Sequence, residues 1–226
     1  MDEEADNKPV PVSPGDATVP APLAWLERRF SPAAVSAALG GVLGIVTFIA
    51  ARLRLFLSAS REISMSGLPV AVVRLAVIAW AVHLAAPLVR QKPRSWIFPF
   101  LAIGLTLLGT ARYLSFSYLT VMIMYAASSS ALLLGCAALA RTLVGPAAAK
   151  KLPAHTSPSV ARMILTGVAY LVIHVAWAMW HWARYYPPNL LELVFVSIFF
   201  TVLATAYPLE YSAPARERRL LEGKDS

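Results

Sequence analysis

The chain has 226 residues, 58% of them hydrophobic and only 14% charged, with a mean hydropathy of +0.62; a soluble domain carries about 25% charged residues, so that class is excluded. The net charge of +8 is spread between apolar runs of membrane-spanning length. It therefore reads as a topology signal, and nucleic acid is a poor partner for it. One cysteine, Cys136, builds neither a disulfide framework nor a cysteine zinc site within a single chain.

Residues 1–21 hold five acids (Asp2, Glu3, Glu4, Asp6, Asp16), four prolines and almost no large apolar side chain. Such a stretch buries too little surface to offset the entropy of ordering, and reads as a disordered tail. Its acidic start is unlike the basic start of a cleavable signal or transit peptide. Over residues 22–30, Leu23, Trp25, Leu26 and Phe30 alternate with Glu27, Arg28 and Arg29, a mixture suited to a helix lying at the membrane interface.

Six apolar runs follow. Ser31-Pro32 places a capping hydroxyl and a first-turn proline ahead of a span reaching Ala51. Within it Ser36, Gly40 and Gly44 recur every four residues, the spacing that lets a second helix approach closely. The next spans run from Leu68 to Val89, Ser95 to Leu114, Ser117 to Ala140, Ser159 to Ala183 and Leu190 to Tyr207, with Gly145-Pro146 and Pro208 as stops. Each suits a hydrocarbon core of roughly 30 Å at 1.5 Å rise per residue.

The predicted fold is thus an all-α polytopic membrane bundle: a six-span domain over 31–208, then a basic tail over 209–226. Six crossings return both termini to one side. That side holds fourteen of the twenty Lys and Arg residues: Lys8, Arg28, Arg29, Arg90, Lys92, Arg94, Arg141, Lys150, Lys151, Arg162, Arg216, Arg218, Arg219 and Lys224. The other holds Arg52, Arg54, Arg61, Arg112 and Arg184, with Arg74 inside a span. Under the positive-inside rule both termini are cytoplasmic, or on the matrix or stromal side of an organelle.

Polar groups inside a bilayer cost roughly 2.5–3.5 kcal/mol each at mid-depth, so each asks for a reason. In the fifth span Tyr170, His174, Trp177, His181 and Arg184 fall on one helical stripe. With the predicted topology, Arg74, His174, His181 and Glu192 lie about 9, 13, 3 and 4 Å below the outer face. Arg74, Tyr170, His174, Trp177, His181 and Glu192 form the candidate intramembrane polar site, with an Arg74–Glu192 ion pair as its sharpest element. The competing reading makes the aromatics an interfacial belt and the histidines helix-to-helix hydrogen bonders.

No metal or cofactor is expected. His174 and His181 stand about 10.5 Å apart along the axis, too far to share one ion. His83 lies about 9 Å deeper than His174, a poor match for two axial haem ligands, which leaves one-histidine haem or pigment ligation open. Ser128, Ser129, Ser130 and Thr106 read as helix-packing hydroxyls, with no base or acid nearby to activate a serine. Three functions follow in order. The first is a non-enzymatic subunit or scaffold of a membrane assembly, binding other membrane proteins and, at its basic face, anionic lipids. The second is a small-solute or proton-coupled transporter using the outer polar site; the third is a lipid-modifying enzyme.

Overall fold

The computed structural model describes residues 25–27, 29–58, 67–113, 117–145, 157–182 and 198–212, with the side chains at 51–58, 112–113, 118 and 178–182 also outside the description. All its regular structure is helical: α1 (Pro32–Ser58), α2 (Leu68–Gln91), α3 (Pro93–Tyr113), α4 (Tyr118–Leu143), α5 (Pro158–Trp182) and α6 (198–212). Five of these, α1 to α5, are long and apolar enough to cross a membrane. The acidic tail of 1–21, residues 22–24 and 28 of the 22–30 segment, the first residues of the predicted sixth span and the basic tail beyond 212 lie outside the described residues; residues 25–27 are helical.

Local chemistry sets the helix ends. The Ser31 hydroxyl accepts from the Ala34 amide at 3.2 Å, and that of Ser117 from the Thr120 amide at 3.3 Å, each satisfying an amide the first turn leaves unpaired. Between α2 and α3 a single residue makes the turn: Lys92, at φ −137° and ψ 67°, leaves the helical region because Pro93 follows it. α2 runs two residues past Val89, and α4 three past Ala140.

Helix α4 is the centre of the bundle. Two thirds of its apolar stretch (67%) is buried inside the chain, against 33% for α1, 22% for α2 and 17% each for α3 and α5. Leu132, Leu133 and Ala138 are fully enclosed, and Cys136 is buried with them. Its contact with α3 is interlocked: a Cβ at Gly104 would stand 2.6 Å from the Leu132 side chain, and one at Gly135 2.8 Å from that of Leu101. Each leucine fills the notch a glycine leaves, and the Ser128 hydroxyl adds a 2.8 Å bond across to the Gly104 carbonyl. Ser128→Ala is expected to lower stability by about 0.6 kcal/mol, the usual worth of one such bond between membrane helices, read as a small fall in unfolding temperature in detergent.

The pairing of α1 with α2 is closer still. At Gly40 a Cβ would stand 2.4 Å from the Leu75 carbonyl oxygen, and at Gly44 2.6 Å from that of Ala71. One turn earlier on the same face, Ser36 Oγ lies 3.0 Å from His83 Nδ1. The single hydroxyl proton of Ser36 goes to the Pro32 carbonyl at 2.9 Å, so the histidine is the donor in the bond between helices. The stripe Ser36, Gly40, Gly44 is thus spent inside the chain, against α2.

α6 continues beyond Pro208, where a stop is expected from the sequence. Residues Tyr207–Tyr211 form one π-helical turn, closed by the Ser212 amide on the Tyr207 carbonyl. The wider turn accommodates a proline that has no amide to give to an α-helical ladder. Tyr207, Pro208, Leu209 and Glu210 are all buried, so the boundary expected at 208 falls inside a packed element.

Candidate functional site

Two polar clusters stand apart along the bundle. The first gathers at mid-height, around the middle of α4 and α5 and the second turn of α2. Tyr170, in mid-α5, turns inward and is 1% exposed, while Val168 and Val172 on the opposite face are 52% and 60% exposed. Its hydroxyl approaches Ser129 of α4 and lies in the field of the Arg74 guanidinium of α2, so three helices meet around one phenol. The His174 ring packs against that of Tyr170, centroids 4.1 Å apart and planes tilted by 49°, and its Nδ1 donates to the Tyr170 carbonyl at 3.1 Å. A carbonyl only accepts, so the proton of a neutral His174 sits on Nδ1 and Nε2 is left as the acceptor. Trp177 packs on the core, its ring 3.9 Å from where a Cβ on Gly109 of α3 would stand.

The structure therefore brings Arg74, Tyr170, His174 and Trp177 to one side of α5 and adds Ser129. The side chain of His181 and the whole of Glu192 lie outside the described residues. Arg74 Nε is buried without a hydrogen-bond partner. The acids among the described residues are Glu27 and Glu210, and both belong to the other cluster. Among the described residues there is also no group of three or more His, Cys, Asp or Glu side chains placed to hold a metal ion.

The second cluster was not anticipated from the sequence. At the far ends of α2 and α4 and the start of α5, three arginines converge on the π-helical turn of α6. Arg141 reaches Glu210 at 2.7 Å and the Leu209 carbonyl at 2.6 Å. Arg162 reaches the other oxygen of Glu210 at 2.8 Å through Nη2 and 3.0 Å through Nε. Arg90 donates to the Pro208 carbonyl and, at 3.0 Å, to the Ser212 hydroxyl. Tyr207 donates its hydroxyl to the Glu27 carboxylate, tying the segment before α1 to the end of α6. The physical cause is plain: a helix C-terminus presents unpaired carbonyls and the negative end of its dipole, and guanidinium groups answer both.

Arg90, Arg141 and Arg162 enter a sequence reading only as inside-positive charges, and Glu210 as part of a tail. The available signal was the position of Glu27 and Glu210, acids abutting apolar spans at the end where the arginines accumulate. No protein-family model, curated protein or solved structure matches this chain.

Proposed function

We propose that the protein is a non-enzymatic subunit or scaffold of a membrane assembly, crossing the bilayer six times with both termini on its basic side. The even number of crossings is supported by the Tyr207–Glu27 bond, which holds residues before α1 and at the end of α6 against one another. Five long apolar helices lie between them, and an odd number of crossings would separate the two by a membrane thickness. The three arginines bound at that same end agree with its being the basic side.

The observation that carries the subunit reading is the bare flank of α3. Only 17% of the residues in its apolar stretch are buried, the same share as in α5, and it turns Ala102 and Thr106 outward, a small pair at i, i+4 of the kind that admits a neighbouring helix to close approach. The inner polar groups, by contrast, are largely spent on one another: Ser128 on α3, Ser36 with His83, His174 on its own helix. Such bonds fix helices in place and leave few groups facing a translocation path.

Sizing of the protein in mild detergent or nanodiscs tests this. The expected particle contains a fixed stoichiometry of chains well beyond one 24.4 kDa chain, and Thr106→Leu dissociates it without lowering the unfolding temperature. A monomer that sustains a pH-dependent flux in liposomes, abolished by His174→Ala, would replace this reading with a transporter.

A further inference from the structure

The polar groups that α2, α4 and α5 bring to the Tyr170 phenol are rich in donors. Ser129 stands halfway along α4 and Tyr170 halfway along α5, 4% and 1% exposed. The neighbours of Ser129 in its triplet each donate to a carbonyl, Ser128 to that of Gly104 and Ser130 to that of Ala126, whereas Ser129 turns to the phenol. Two facing hydroxyls hold two protons and a bond between them uses one, so one proton is left to give outward. The third group is Arg74, half-buried on α2. Its field reaches both the phenol and the His174 ring, and its Nε is buried without a partner. A guanidinium brings five N–H donors and accepts nothing.

No negative charge among the described residues answers these donors. The carboxylates there are Glu27 and Glu210, both held in the cluster at the end of α6. The Tyr170 carbonyl takes the Nδ1 proton of His174, and the remaining ring nitrogen of a neutral histidine carries no charge to set against Arg74. A cation enclosed within the hydrocarbon layer costs free energy until a counter-charge joins it. What the cluster lacks is therefore an acceptor that is also an anion.

Charge and shape narrow the class. One guanidinium offsets one charge, so a divalent anion such as sulfate would exchange an unpaired cation for an unpaired anion. The two hydroxyls are enclosed by packed side chains, which favours an ion with no organic body to accommodate. A spherical ion also takes hydrogen bonds from several directions at once, and these donors arrive from three separate helices. We propose that Arg74, Ser129 and Tyr170 form a binding site for one chloride ion, with the guanidinium supplying the counter-charge and the hydroxyls the remaining bonds. One chain supplies every donor, so the site stands independently of the subunit reading.

The test uses the full chain, purified in mild detergent in potassium gluconate and titrated with potassium chloride at constant ionic strength. Broadening of the chlorine NMR line reads binding, and the unfolding temperature reads its consequence. Chloride is expected to broaden the line and to raise the unfolding temperature, as a ligand of the folded state does. Tyr170→Phe removes only a hydroxyl and should weaken binding by about tenfold, the fold-change that accompanies loss of one hydrogen bond to a charged group. Arg74→Gln should abolish the chloride dependence of both readouts. Thiol protection of the buried Cys136 reports that each variant is folded. Undiminished chloride binding in folded Arg74→Gln or folded Tyr170→Phe overturns the proposal. So does tighter binding of acetate than of chloride, which would make this a carboxylate site, or a line width and unfolding temperature that stay unchanged when chloride replaces gluconate.

Discussion

Glu210→Gln is expected to destabilise the folded protein by about 3 kcal/mol, the lower end of the 3–5 kcal/mol that follows removal of one partner from a buried ion pair. Glutamine keeps the volume and one accepting oxygen, so the loss isolates the charge. What remains are Arg141 and Arg162, side chains 16% and 22% exposed, facing each other with no counter-charge. Partial access to water is why the lower figure applies. For a chain of this size the unfolding temperature in detergent should fall by about 6–12 °C. The single thiol gives a direct readout: Cys136 is buried at 1% exposure, and its alkylation should proceed only through opening of the bundle. Because Arg141 and Glu210 are in contact, Arg141→Met combined with Glu210→Gln should cost less than the sum of the two single changes. Additive costs would show that the pair contributes nothing as a pair.

The contrast between this cluster and the rest of the fold shows what the sequence conveys. Spans, caps and the one-residue turn at Lys92 are written in neighbouring residues: Ser31 before Pro32, Ser117 before an apolar run, a lysine forced out of helix by the proline after it. The same holds for the small-residue spacing of α1 and for the inward stripe of Tyr170, His174 and Trp177. Pairings between distant positions are not so written. Glu210 meets Arg162 and Arg141 across 48 and 69 residues, and Tyr207 meets Glu27 across 180. A count of positive charge by side treats Arg90, Arg141 and Arg162 as topology signals, because nothing local distinguishes an arginine left to the headgroups from one bound to the end of another helix. The π turn over Pro208 was hidden for a related reason. Proline ends an isolated α-helix; here the helix runs one turn further, and Arg90 and Arg141 take up the Pro208 and Leu209 carbonyls at its end.

Gly44→Ala and Gly40→Ala are expected to cost about 1–3 kcal/mol each, the range for forcing extra carbon into a closed interface. At Gly44 the new Cβ would stand 2.6 Å from the Ala71 carbonyl oxygen and 2.7 Å from the Val72 Cα, and at Gly40 2.4 Å from the Leu75 carbonyl oxygen and 2.8 Å from the Ala79 Cβ. Backbone atoms have no rotamer to escape into, so α1 and α2 must separate. Separation in turn stretches the 3.0 Å bond from His83 to Ser36 on the same face. Gly41→Ala is the control, because its Cβ would meet the Val72 side chain at 3.6 Å, ordinary contact, and alanine is the better helix former by about 1 kcal/mol. It should be neutral or slightly stabilising. Equal effects at all three positions would show that the α1–α2 contact is looser than described. The stripe faces inward, so its variants should lower the unfolding temperature and leave the stoichiometry of the assembly unchanged. Thr106→Leu on the bare face of α3 should do the reverse, which separates what holds this chain together from what would hold it to another.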